Sequence, residues 1–168
     1  VEIVGGQTLI QRVISKLECL DPPTIVVVAE LEQSEALDLP TSTRVVTDMF
    51  PGCGSLGGIY TGLSNITADW GLVVACDMPF LDKSVIHHII GKCKGNDVVA
   101  PVVGGRPEPI HAAYSKTCIP HIKERLQASE LKISGFFDRV EVAFVPETDI
   151  DILDPNNLSF MNVIKDRV

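Results

Sequence analysis

Asp77 stands just beyond the apolar run Gly71-Leu-Val-Val-Ala75 and is followed by Met78-Pro79. In open parallel sheets, ligands bind outside the carboxyl ends of the strands. A carboxylate at such an exit, beside a proline that fixes the turn, is placed to hold a divalent metal bridging ligand phosphates. The competing reading is a turn or helix cap made by the side chain. Asp48 occupies the same kind of exit, after Arg44–Thr47, and its local sequence suits a turn as readily as a ligand. Gly52-Cys-Gly-Ser-Leu-Gly57 matches G-x-G-x-x-G, with Asp77 20 residues beyond Gly57, which imitates a dinucleotide fingerprint. The imitation fails because Asp48-Met-Phe-Pro51 intervenes and Pro51 cannot continue the strand ladder. The glycines then serve either a tight strand-to-helix turn or a phosphate, base or ring packed on exposed N–H groups at a helix start.

Gly104-Gly-Arg-Pro-Glu-Pro-Ile-His111 offers a planar donor in Arg106 and a ring in His111. Arg106 can pair bidentately with phosphate and His111 can hydrogen-bond a heterocycle; each residue type is also common in purely structural roles. His87 and His88 lie off the Val85/Ile86/Ile89 stripe and read as solvated helix-face residues. No Ser, Cys or Lys sits in a nucleophile motif with a partner base. A phosphate monoester substrate needs none, since it carries its own anionic nucleophile and asks the protein for positioning and charge neutralisation by a metal.

These residues need elements to hold them. Leu9, Ile10, Val13, Ile14, Leu17 and Leu20 recur at helical spacing and Pro22-Pro23 ends that helix. Thr24–Ala29 lacks polar alternation, as expected of a strand buried on both faces. The pattern continues with a polar helix-like stretch to about Leu37, a strand at Arg44–Thr47, a helix to about Ile66 and a strand at Gly71–Ala75. Asp82 can cap a helix with stripe Val85, Ile86, Ile89, Ile90 and Cys93. Strands at Asp97–Val103, Pro109–Tyr114 and Val140–Val145, with helices at Cys118–Ala128 and Ile133–Phe137, complete the alternation. Such alternation implies right-handed crossovers and a three-layer α/β domain.

The 168 residues fit one domain, and 45% hydrophobic content excludes disorder. The apolar runs are far short of the roughly 20 residues a membrane helix needs. A net charge of −8 and the lack of a basic run argue against nucleic acid. Five cysteines, at 19, 53, 76, 93 and 118, form no C-x-x-C pair, so buried, reduced thiols in a cytosolic protein are expected.

Four blocks in order, Thr47-Asp-Met-Phe-Pro-Gly-Cys-Gly-Ser-Leu-Gly-Gly-Ile-Tyr-Thr-Gly-Leu63, Val74-Ala-Cys-Asp-Met-Pro-Phe-Leu81, Gly105-Arg-Pro-Glu-Pro-Ile-His-Ala-Ala-Tyr114 and Phe160-Met-Asn-Val163, resemble the molybdenum cofactor guanylyltransferases. The resemblance implies a Rossmann-like nucleotidyltransferase fold, mostly parallel, with helices on both faces. It implies transfer of GMP from GTP to the terminal phosphate of molybdopterin, release of pyrophosphate, and a requirement for Mg²⁺. Carried over by position, Asp77 is the catalytic metal ligand and touches GTP, while Asp48, Gly52 and Gly54 form the nucleotide site. Arg106 and His111 lie toward the pterin, and Asn162 lies near the metal. Partners implied are GTP, molybdopterin and other cofactor-biosynthesis proteins or molybdoenzyme chaperones, in the cytoplasm, without nucleic acid or membrane.

Three departures from the family pattern stand out. The family's first strand and its L-A-G-G-x-S-x-R-M-G-x-x-K phosphate loop have no counterpart in residues 1–168, and Val4-Gly-Gly-Gln-Thr-Leu-Ile10 resembles the segment just after that loop. Ile164 replaces the later Asn of F-x-N-V-N, and Glu30 follows Thr24–Ala29 where the family often has Asn. Alternatives are a cytidylyl- or sugar-phosphate nucleotidyltransferase on the same fold, or a non-catalytic homologue that binds molybdopterin or nucleotide.

Overall fold

The first helix, α1 (Leu9–Leu17), begins where Thr8 and Gln11 form a capping box: the Thr8 side chain accepts from the Gln11 N–H and the Gln11 side chain accepts from the Thr8 N–H. Leu9, Val13 and Ile14 are its buried face. In this computed structural model residues 3–4, 6–20, 23–30 and 37–163 are described. The polar stretch before Leu37, Ile164 and the side chain of Cys19 lie outside the described residues. A short antiparallel pair, β1 (Ile3–Val4) and β2 (Gln7–Thr8), precedes α1. A 3₁₀ turn, Glu18–Leu20, finishes the predicted helix in place of a last α-turn.

The strand β3 (Ile25–Val28) pairs in parallel with β4 (Arg44–Thr47), Ile25 opposite Arg44. The helix α2 (Gly54–Asn65) then leads to β5 (Trp70–Val74). At the end of α2, Asn65 Oδ1 accepts from the Arg44 guanidinium at 3.0 Å. Leu63 and Ile66 lie against Gly71, each 3.2 Å from where its Cβ would stand. The starts of β4 and β5 therefore meet the same end of α2, so β3, β4 and β5 run the same way. Their carboxyl ends all fall on the side where α2 begins.

Asp82 caps α3 (Lys83–Gly91) by accepting from the Ser84 N–H at 2.7 Å. Val85, Ile86 and Ile89 are fully buried, whereas Ile90 is 40% exposed, so the predicted stripe is narrower by one residue. The remaining elements are β6 (Val98–Val103), β7 (Arg106–Pro107), β8 (His111–Ser115), α4 (Ile119–Gln127), a 3₁₀ segment at Ile133–Arg139, β9 (Val142–Val145) and α5 (Glu147–Leu153).

The larger sheet has the order β5-β8-β6-β7, with β9 on β6. Helices pack on both of its faces. Val98, Ala100, Ala112 and Tyr114 join Leu56, Ile59 and Leu63 of α2 and Ile122 and Leu126 of α4 on one side. Val99 and Ala113 join Val85 and Ile89 of α3 and Ile150 of α5 on the other. This alternation along β6 and β8 is the period-two pleat of strands buried on both sides. The expectation of a mostly parallel sheet needs correction. β8 enters antiparallel to both β5 and β6, and β7 folds back on β6, leaving β3–β4 and β6–β9 as the parallel pairs among the described residues. The short span from β7 to β8 allows a return stroke but no helical crossover.

Candidate active site

Asp48 leaves β4 and turns its carboxylate back on its own loop. Its Oδ1 accepts from the Phe50 N–H at 3.0 Å and from the Thr61 hydroxyl at 2.8 Å, while Thr61 Oγ1 accepts from the Met49 N–H at 2.9 Å. The chain passes through Gly52 and Gly54, at φ 83° and 59°, backbone that other residues adopt only under strain. It then enters α2, where Cys53 makes no side-chain cap, leaving the first N–H groups of the helix to other acceptors. Gly57 permits the tight approach: a Cβ there would stand 2.9 Å from the Phe50 carbonyl and 3.0 Å from Asp48 Oδ2. The turn reading and the ligand reading of Asp48 are thus not exclusive, since one oxygen is committed to the loop.

Asp77 sits where β5 gives way to the turn that precedes α3. Its Oδ1 is buried without a hydrogen-bond partner, a costly state in a protein that leaves it empty-handed. Asp77, Cys76, Ser55 of α2 and Asn162 line one end of a single cavity of about 620 Å³. Asn162 is carried there by a pinned segment. The Asp154 carboxylate accepts from the Ser159 N–H at 2.7 Å, the Ser159 hydroxyl accepts from the Asp82 N–H at 2.9 Å, and the Val163 N–H donates to the Asp77 carbonyl at 3.1 Å. Residues 77 and 162, 85 positions apart, are therefore held as neighbours by the turns on either side of them.

The other expected site residues stand differently. His111 is fully buried at the start of β8, opposite Val74, with its ring 4.8 Å from that of Phe160 and neither nitrogen hydrogen-bonded. Burial pushes its pKa down to about 4, against smaller opposing effects from Ser159 and Asp154, so the ring is neutral at pH 7. Arg106 is exposed on the tight β6–β7 hairpin, where the Gly104 N–H donates to Glu147 of α5 at 2.7 Å. Arg106 and His111 thus occupy opposite environments, one in solvent and one behind Phe160. Cys76 is exposed rather than buried, while Cys118 is buried as expected.

Thr61, Ser159 and Asp154 were missed as parts of the site. The signal for Thr61 was a hydroxyl amid the apolar residues Ile59, Tyr60 and Leu63, which requires a partner once buried. Among the described residues no cluster of three His, Cys, Asp or Glu side chains forms a metal cage. The orphaned Asp77 oxygen beside Asn162 fits a magnesium ion of another kind, one held by one or two protein ligands and completed by water and phosphate oxygens.

Residues 1–140 match the model of the MobA-like NTP transferase domain. The chain is 34% identical over 160 residues to a protein of Pelotomaculum thermopropionicum named a probable molybdenum cofactor guanylyltransferase, covering 95% of this chain and 76% of the relative. It is 31% identical over 163 residues to the molybdenum cofactor guanylyltransferase of Desulfosudis oleivorans, covering 96% and 78%. Its fold superposes on molybdopterin-guanine dinucleotide biosynthesis protein A of Archaeoglobus fulgidus with a TM-score of 0.82, at 26% identity over 96% of this chain and 82% of that one. A carboxylate at one strand exit, a glycine turn at another and these likenesses converge: the chain belongs to the MobA-like NTP transferase family and is a nucleotidyltransferase.

Proposed function

We propose that the protein transfers GMP from GTP to the terminal phosphate of molybdopterin, forming the guanine dinucleotide and releasing pyrophosphate. The observation that carries this reading is Asp77 Oδ1, buried, unpaired and lining the same cavity as Asn162 and the start of α2. The relatives are named for guanylyl transfer involving the molybdenum cofactor, which supports this choice of transferred group and acceptor.

In the reaction a phosphate oxygen of molybdopterin attacks the α-phosphorus of GTP, and the bond from that phosphorus to the bridging oxygen of pyrophosphate breaks. No proton has to be removed from the nucleophile, because a phosphate monoester oxygen is already anionic. Asp77 and Asn162 would hold Mg²⁺, which when bound offsets charge on the phosphates. The first N–H groups of α2 and the positive end of its dipole face the same side and favour anionic oxygens. Asp48 fixes the loop that leads into α2, with Oδ2 left for the nucleotide. Arg106, exposed and cationic, is assigned to the phosphate of the pterin substrate, and His111 to supporting Phe160 beneath that side.

The test is pyrophosphate release by the full-length protein with molybdopterin, comparing GTP with CTP and wild type with Asp77→Asn. Magnesium-dependent release with GTP, lost in Asp77→Asn, is expected. Turnover with CTP in preference to GTP selects the cytidylyl alternative, and tight nucleotide binding with no turnover selects a non-catalytic homologue.

A further inference from the structure

Asn162 reaches Asp77 on a segment with little secondary structure of its own. Between α5 and Val163 the chain makes one 3₁₀ turn, Leu158–Phe160, and both Leu158 and Met161 are 40% exposed. Apolar burial therefore holds this segment mainly at Phe160, which packs on the His111 ring and on the cluster of Val85, Ile89 and Ile150. The other anchors are polar. Asp154 and Ser159 are both buried, a costly placement for a carboxylate and a hydroxyl unless each is bonded.

These two residues form a relay. Asp154 follows α5, its N–H donating to the Ile150 carbonyl at 2.8 Å, and its carbonyl accepts at 2.9 Å from the N–H of Asn157, whose φ is 52°. Ile150 is fully buried, so the Asp154 carboxylate starts from a fixed point of the core. It accepts from the Ser159 N–H at 2.7 Å, a charge-assisted bond inside the protein. The Ser159 hydroxyl then accepts from the N–H of Asp82, the residue that caps α3. The relay runs from the end of α5 to the start of α3 and crosses the strip that carries Asn162.

That strip, residues 159–163, is tied to the turn 77–82 at both ends, Ser159 to Asp82 and Val163 to Asp77. Asn162 stands between the two ties, so slack at Ser159 is passed along the strip to it. Groups that share one ion must be held to about 0.5 Å, and the residues that orient them commonly set the affinity. We propose that Asp154, acting through Ser159, is a positioning residue: it fixes Asn162 relative to Asp77 and so sets the affinity of the site for a divalent cation. The inference rests on the metal role that the transferase reading gives to Asp77 and Asn162.

The test titrates the full-length protein with Mn²⁺ alone, following the paramagnetic resonance of the free ion, and compares amide exchange. Asp154→Ala and Ser159→Ala should each weaken Mn²⁺ binding by about tenfold or more. The double variant should lose no more than either, since both break one relay. Asp154→Asn keeps an oxygen for the Ser159 N–H and should recover most of the affinity. The Val163 amide, bonded to Asp77, should exchange roughly tenfold faster in the alanine variants, while the Val98 amide stays protected and reports an intact fold. If Asp154→Ala does not fold, Ser159→Ala carries the same comparison. Mn²⁺ affinity lost in Asp77→Asn but unchanged in Asp154→Ala and Ser159→Ala would overturn the positioning role and leave the transferase reading standing. Affinity that survives Asp77→Asn would overturn the metal assignment and this proposal with it. Losses that add in the double variant, or Val98 protection lost in both Ser159→Ala and Asp154→Asn, would make Asp154 a residue of the fold alone.

Discussion

Asp77 carries a requirement that can be separated from folding. Its unpaired Oδ1 contributes no bond within the fold, so Asp77→Asn should leave the melting temperature of the protein within a few degrees of wild type. Magnesium-dependent pyrophosphate release should fall by roughly a hundredfold or more, the scale of losing several kcal/mol of charge stabilisation. An equal loss of stability and activity would make Asp77 structural. His111 gives a second, opposite kind of prediction. Its folded pKa of about 4 lies below that of the unfolded imidazole, so between these values the unfolded state binds more protons. The stability contributed by neutral His111 is therefore complete above about pH 6.5 and is lost as pH falls toward 4. Urea unfolding at pH 7 and pH 5 should show wild type losing about 2 kcal/mol more than His111→Phe, which keeps a ring against Phe160. Identical losses would place the proton elsewhere. From sequence, Asp77 was legible as a strand-exit carboxylate; the burial of His111 was not, because alternation in Ile110-His-Ala-Ala-Tyr114 gives no clue to which face Phe160 covers.

The elements themselves were mostly legible, and the failures have physical causes. β4 was located to the residue because its ends are marked by polar neighbours, whereas the β8 strand was placed two residues early because Pro109 looks like a strand start and serves a turn instead. α5 (Glu147–Leu153) was missed: it is short, begins after Pro146 without a side-chain cap, and leaves Ile152 79% exposed, so no apolar stripe announces it. It also gives His88 a role that helix-face reasoning missed, since His88 Nε2 lies 3.2 Å from Asp149 Oδ2 and ties α3 to α5. The join between β4 and α2 is where an element-scale prediction is sharpest. Gly57→Ala would drive a methyl to about 3 Å from both the Phe50 carbonyl and the Asp48 carboxylate. The Phe50 carbonyl is held by the Cys53 N–H and the Asp48 carboxylate by the Thr61 hydroxyl, so the variant should lose about 1–3 kcal/mol and bind GTP more weakly by calorimetry. Gly58→Ala, one residue on, meets nothing within 4 Å and should match wild type in both. Equal behaviour of the two variants would show that the loop tolerates the displacement.

At the scale of the whole molecule, charge and cohesion pull apart. The net charge of −8 opposes an anionic substrate, so on the proposed reading phosphate is attracted locally, by the α2 terminus, Arg106 and a magnesium ion, rather than through the general field. Cohesion is uneven in a way that composition cannot show. β6 and β8 share apolar clusters with helices on both faces, whereas β3 and β4 form a separate two-stranded sheet that reaches the rest through α1 and α2. Because stability tracks local burial, the β3–β4 unit should open before the larger sheet does. Native-state exchange in low urea measures this on amides already bonded within each ladder. The Asp48 N–H, which donates to Val28, should exchange at least tenfold faster than the N–H of Val98, which donates to Glu141, and with a shallower dependence on urea. Merging of the two isotherms across all urea concentrations would mean that the two sheets unfold as one unit, with α1 and α2 sufficient to couple them.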